Sequence, residues 1–195
     1  MKRVYIIAAI ATGLLVLTLD SMAQTDETKK NREKDVILSI GINGGAGTGK
    51  FNDTHKWGLG GSFQADIPVS GKWYATINAG YLNFFGKEIA KNNNHYSVTD
   101  AQFLPVKAGM KYFPVGMFYV QGEAGISIAL NKSNLDYSRT VAFVYAGLVG
   151  ARLPLGENNN LDIGAFYERT SKFKEGAKDS KVNYYGLRIA YPFTL

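Results

Sequence analysis

From residue 36 to the end of the chain, apolar positions take turns with small or polar ones. Trp57, Leu59, Phe63, Ala65 and Ile67 share one face of an extended segment, with Gly61 among them, and Gly58, Gly60, Ser62, Gln64 and Asp66 share the other. Successive side chains of a strand point to opposite faces, so this period of two predicts a strand with one greasy side. The same alternation recurs over residues 36–43, 73–81, 104–112, 118–130, 143–153, 161–168 and 185–195, with Val144 and Leu148 blurring one strand. The expectation is eight strands.

The connections alternate too. Short ones carry Pro or Gly, "PVSG" at 68, "PVG" at 114 and "PLGENNN" at 154, and longer polar ones lie near 47–56, 84–99, 131–139 and 170–181. Short turns at one end and long loops at the other predict an antiparallel up-and-down barrel of the outer-membrane kind, all-β, with both chain ends on the periplasmic side. A soluble sandwich or barrel also alternates, but its water-facing side should be rich in Lys, Glu and Thr. Here the face opposite the apolar one is mostly Gly, Ser, Asn and Ala, with a few charges of both signs. Small residues suit a crowded lumen, where Lys107, Lys111, Arg152 and Arg188 can pair with Glu123, Asp162 and Glu168. Strands of ~10 residues are what a tilted crossing of hydrocarbon needs, and aromatics near their ends would form interfacial girdles.

The first residues, "MKRVYIIAAIATGLLVLTLDSMAQ", fit this destination. Lys2 and Arg3 precede an apolar run from Val4 to Leu19, and Ser21-Met22-Ala23 is a small-residue cleavage site, so residues 1–23 are expected to be a signal peptide. The run is shorter than the ~20 residues a spanning helix needs. Removing Lys2, Arg3 and Asp20 lowers the formal net charge of +6 by one. An exported chain meets no nucleic acid, so mild basicity points to anionic lipid headgroups or a solvated face. Residues 24–35, "QTDETKKNREKD", read as a polar periplasmic tail, and 36–195 as the barrel. The absence of cysteine excludes disulfides, thiol nucleophiles and a lipid-modified cysteine.

Three stretches carry more specific likeness: "FLPVKAGMKYF" followed by a Pro-Gly turn and "FYVQGEAGISIAL", "AGLVGARLPLG" followed by "LDIGAFYE", and the closing "YYGLRIAYPFTL". With these the sequence resembles the small outer-membrane β-barrel family of Gram-negative bacteria, often labelled porin-like, over nearly the whole mature chain. The resemblance implies an eight-stranded outer-membrane protein β-barrel domain, a location in the cell outer membrane, and contact with outer-membrane lipid and lipopolysaccharide. The closing strand is similar to the recognition signal read by the barrel assembly machinery, although the chain ends in Leu195 with Phe193 two places earlier.

Candidate chemistry is sparse. "GINGGAGTGKF" has the spacing of a phosphate-binding loop from Gly44 to Gly49 and Lys50, but Phe51 stands where Ser or Thr would hold Mg²⁺, and "NDTHKW" leads into another strand rather than a helix. The run is expected to be a hairpin. His55 in "NDTHKW" and His95 in "NNNHYS" lie in predicted outer loops, near Asp53, Ser97 and Asp100. Nearness in sequence does not make a catalytic triad, and "NNNHYSVTD" lacks the clustered carboxylates or paired histidines of a metal site. No catalytic, cofactor-binding or metal-ligating residue is assigned, and no cofactor is expected. Lys172, Lys174, Lys178 and Lys181 in "TSKFKEGAKDSK" could meet lipopolysaccharide phosphates or simply solvate the loop. The expected protein is a monomeric barrel with a structural or surface-interaction role and no catalysis. The alternatives are a lipid-A-modifying enzyme, or a narrow solute channel, which eight strands would leave little room for.

Overall fold

Alternation of apolar and polar side chains becomes, in a computed structural model, a sheet that closes on itself. The structure describes residues 35–91, 94–131, 139–156, 159–173 and 180–194, and for 89–91 and 94–96 the backbone alone; all belong to one compact unit, Glu33–Leu195. The expected signal peptide and all of the polar tail but Asp35 lie outside the described residues. The strands are β1 (Ile37–Gly47), β2 (His55–Ser70), β3 (Trp73–Gly86), β4 (Glu88–Lys91), β5 (Asn94–Ser97), β6 (Ala101–Val115), β7 (Phe118–Ala129), β8 (Val141–Pro154), β9 (Asn160–Thr170) and β10 (Asn183–Thr194). Eight of them form a closed antiparallel barrel in the order β1-β10-β9-β8-β7-β6-β3-β2, and β4 pairs with β5 as a separate hairpin.

Closure is made by β1 and β10, which pair from Ile37↔Thr194 to Gly47↔Tyr184. A barrel has no edge, so backbone groups that would be unpaired in hydrocarbon find partners between strands. The short connections turn at Gly71 (φ 52°) and Gly116 (φ 50°), left-handed positions that glycine adopts without a Cβ penalty. They lie at the end of the barrel that also carries Ile37 and Thr194, the periplasmic end in the expected orientation.

The strands extend beyond the alternating stretches read from sequence, which shortens the outer connections. Between β1 and β2 only residues 48–54 remain, including one helical turn, Phe51–Thr54. The 84–99 connection folds into the β4–β5 hairpin, from Glu88↔Ser97 to Lys91↔Asn94.

The apolar face points outward. Ile40, Ile42, Leu59, Phe63, Ile77, Val106, Ile126, Val149, Leu187 and Ile189 are all exposed around the wall. Trp73 stacks on Tyr112 at the periplasmic end (4.4 Å between centroids), and Trp57 packs on Phe85 at the outer end (4.3 Å). An exposed apolar band between aromatic ends is costly in water and favourable in a bilayer. No helix among the described residues is long and apolar enough to cross a membrane; this barrel crosses with strands.

Candidate functional site

The interior is where the chemistry of this chain is concentrated. Its periplasmic half is polar. Asp66 on β2 accepts from Lys111 Nζ (2.7 Å) and from the Arg152 guanidinium (2.7 Å). Asp162 on β9 lies 3.6 Å from Lys111 and 3.3 Å from Arg152, and the Tyr119 hydroxyl donates to it. One step toward the outer end, Lys107 bridges Glu168 (2.6 Å) and Glu123 (3.0 Å), and Tyr184 donates to Glu168 (2.7 Å). Gln64 and Gln121 join the two levels: Gln121 donates to Glu123 (2.7 Å), and Gln64 donates to Asp66 while accepting from Asn78 and Arg188.

Buried charges are tolerated only when paired or hydrogen-bonded, and here three of the four bases, Lys107, Lys111 and Arg152, pair with four acids. The expected partners Glu123, Asp162 and Glu168 are all used, and Asp66 joins them as a fourth carboxylate. Arg188 departs from the expectation, donating to Gln64 and to Ser39 Oγ (3.2 Å) with no carboxylate among the described residues. These contacts span the lumen. In the barrel order β8 and β2 are diametrically opposite, and Arg152 and Asp66 join them directly.

The outer half is apolar instead. Phe84, Phe103, Phe173, Leu82, Val182 and Tyr184 are buried against one another inside the wall, with Phe51 from the helical turn above them. Phe84 meets Phe51 and Tyr184 edge-on, both at 4.9 Å. Phe173 comes from the lysine-rich segment after β9, fully buried, with its ring 5.5 Å from Phe103. Val144 and Leu148 are inward residues of β8, which is why its alternation looked blurred.

The two histidines separate. His55 is not a loop residue but the first residue of β2, buried beneath the helical turn and stacked on Phe51 (4.9 Å). Its Nε2 donates to the Thr99 carbonyl (3.0 Å) and its Nδ1 lies 2.9 Å from Thr54 Oγ1, so both ring nitrogens serve to hold loop to strand. Asp100 accepts from the Gly86 amide (3.0 Å) and Asn83 Nδ2 (3.1 Å); these two bonds hold its carboxyl below the usual carboxylate range. Asp53 and Ser97 are exposed. The backbone of His95 pairs with Ala90 in the hairpin, and its side chain lies outside the described residues. Among the described residues, no three His, Asp or Glu side chains are grouped to hold a metal ion.

The glycine-rich run has no phosphate cradle. Gly41 and Gly45 face inward on β1, where a Cβ on Gly41 would sit 2.9 Å from that of Ala190, and Gly49 (φ +58°) makes the turn. Lys174 and Lys178 lie outside the described residues, whereas Lys172 is exposed and Lys181 half-buried at the outer rim.

No family model and no curated protein sequence matches the chain. Solved structures do. The outer-membrane protein OprG of Pseudomonas aeruginosa matches over 87% of this chain and 100% of its own, at 15% identity and a TM-score of 0.53. The Yersinia pestis outer-membrane protein Ail, in a phospholipid bilayer nanodisc, matches over 83% of this chain and 100% of its own, at 17% identity and a TM-score of 0.55. This chain has the fold of the small eight-stranded outer-membrane barrels. Its closed wall and apolar exterior belong in the outer membrane, as that fold and the band of Ile, Val, Leu and aromatic side chains require.

Besides Asp66, two residues were missed by sequence reasoning. Tyr119 was passed over because its neighbours Phe118 and Val120 carried the apolar face; its position on the opposite, inward face was the available signal. Phe173 had a fainter one, a single aromatic among lysines.

Proposed function

We propose that this protein is a closed, non-conducting, non-catalytic barrel that acts as a monomer, as a structural element of the outer membrane and a platform for its outer loops. The observation that carries this reading is the Arg152–Asp66 contact across the full width of the lumen, at 2.7 Å between strands on opposite sides. A solute path would have to break it, together with the Lys107–Glu168 bridge and the aromatic layer above. Eight-stranded barrels have interiors just wide enough for side chains to fill, and here those side chains are bonded wall to wall. His55, whose two ring nitrogens are engaged by Thr99 and Thr54, is poorly placed to serve as a general base, which supports the absence of catalysis. Its partners are then membrane lipid, lipopolysaccharide and, during insertion, the barrel assembly machinery engaging β10.

The test is electrical. The purified barrel in planar bilayers should produce no current steps above those of the bare membrane, and liposomes containing it should not swell in small sugars. Steady unit conductance would overturn the closed reading. Incubation with lipid A should leave its mass spectrum unchanged; loss or gain of an acyl chain would replace the structural role with an enzymatic one.

A further inference from the structure

The wall of the barrel is not uniform on its lipid-facing side. A concave apolar groove crosses β1, β10 and β9, lined by Ile42, Gly44, Ala46, Ala165, Leu187 and Ile189. Register places its rows: Gly44, Leu187 and Ala165 are level, and Ala46, Tyr185 and Tyr167 form the next row toward the outer end. The small side chains beside Leu187 leave the hollow. Since β1 ends at Gly47 and β9 at Thr170 on the outer side, the groove lies in the outer half of the bilayer.

Cations stand directly above it. Arg169 is level with Asn183, one row beyond Tyr167 and Tyr185, or about 7 Å higher at the rise of a strand. It projects on the same outward face as Tyr167, and Tyr145 of β8 is its other cross-strand neighbour. Lys181 precedes Asn183 by two residues, and its strand is held beside β9 by the Thr170 amide donating to the Val182 carbonyl (2.9 Å). Lys172 is exposed just beyond Ser171, whose amide donates to the Phe143 carbonyl (2.7 Å). Arg169, Lys172 and Lys181 have no carboxylate partner among the described residues, in contrast to Lys107, Lys111 and Arg152 inside. Cations at the headgroup level, without a carboxylate partner among the described residues and above an apolar hollow at the acyl level, match a phosphorylated glycolipid.

The charge distribution points the same way. The lumen carries as many bases as acids, whereas among the described residues outside it Lys50, Lys56, Lys87, Arg139, Arg169, Lys172 and Lys181 outnumber Asp53, Glu88 and Asp100 toward the outer end, and Lys72 lies toward the periplasmic turns. A bilayer whose outer leaflet carries lipid A presents phosphate to the first set and ordinary phospholipid to the second.

We propose that this face of the barrel binds one lipid A molecule, its phosphate held by Arg169, Lys181 and Lys172 and an acyl chain lying in the groove between β1 and β9. Arg gives a planar, bidentate grip on phosphate, and Lys adds mobile charge at the same group. Tyr167 and Tyr185 sit at the boundary where ring bodies meet acyl chains and hydroxyls meet headgroups.

The experiment is native mass spectrometry of the folded full chain released from vesicles containing diphosphoryl lipid A, its dephosphorylated form or phosphatidylglycerol. The wild-type barrel should keep one diphosphoryl lipid A in preference to the other two. An Arg169→Ala/Lys181→Ala double variant should weaken retention by roughly tenfold or more, since a basic side chain near an anionic surface contributes about 1 kcal/mol. Gly44→Leu tests the groove separately. A Cβ at Gly44 meets only Leu59 Cδ1, at 3.9 Å, so a larger side chain can fill the hollow without straining the wall. This variant should keep its heat-modifiable gel mobility and lose retention. Equal retention of phosphatidylglycerol, or unchanged lipid A retention in both folded variants, would overturn the site. The closed-lumen reading is tested by conductance and stands or falls separately.

Discussion

Asp66 shows what single side chains do inside this wall. It is fully buried, accepts from Lys111 and Arg152 at once, and is the only carboxylate that β2 contributes to the network. Removing one partner of a buried ion pair leaves the other charge without compensation, which costs about 3 to 5 kcal/mol. Asp66→Ala should fall at the lower end of that range, because Asp162 remains 3.6 Å from Lys111 and 3.3 Å from Arg152. Urea unfolding in lipid vesicles, followed through the emission of Trp57 and Trp73, measures the difference. Asp53→Ala is the control. Asp53 is exposed in the outer turn, so its loss should stay within about 0.5 kcal/mol. If both variants unfold together, the lumen network does not hold the barrel in the way its geometry describes.

At the scale of strands, period two revealed which side chains face lipid and which face the lumen, and it faded where the lumen changes character. β7 reads clearly because Gln121, Glu123 and Ser127 are polar on the inside and Val120, Ile126 and Ile128 apolar on the outside. On β8 the inward Val144 and Leu148 are as apolar as the outward Phe143 and Tyr145, so the contrast that alternation needs is missing. The aromatic layer was illegible for the same reason, and because Phe173 reaches it from outside any strand. The β4–β5 hairpin was hidden by "EIAK" and "NHYS", too short for a period to emerge. Ile77 tests the outward assignment where it should matter most. It lies four residues from both Trp73 and Tyr81 on β3, is exposed, and is flanked by Ala65 on β2 and Ala108 on β6. Ile77→Arg should destabilise the barrel by about 2 to 4 kcal/mol, the cost of a basic side chain at the bilayer midplane. The same substitution at Asn52, exposed in the outer turn, should cost little. Refolding yield into vesicles and urea midpoints compare the two, and equal tolerance would place Ile77 away from hydrocarbon.

The whole molecule depends on one seam, because seven of the eight strand contacts join neighbours along the barrel wall and the β1–β10 contact alone joins its ends. Ile40 and Tyr191 are register partners on that seam, both on the outward face and exposed. The chain contains no cysteine, so a pair placed there has no competitor. An Ile40→Cys/Tyr191→Cys variant should oxidise to an internal disulfide once folded, since directly paired residues of antiparallel strands lie about 4.5 to 5.5 Å apart between Cα atoms, within disulfide range. Ile40→Cys/Tyr185→Cys, shifted by six residues along β10, should not. A bond closing so long a loop restricts the unfolded chain, and on the loop-entropy account it should stabilise the barrel by about 4 to 5 kcal/mol. Gel mobility without reductant reads the cross-link, and urea unfolding before and after reduction reads the stabilisation. Cross-linking of the shifted pair instead would mean that the ends meet in another register, which would turn every side chain position described for β1 and β10 into a different neighbourhood.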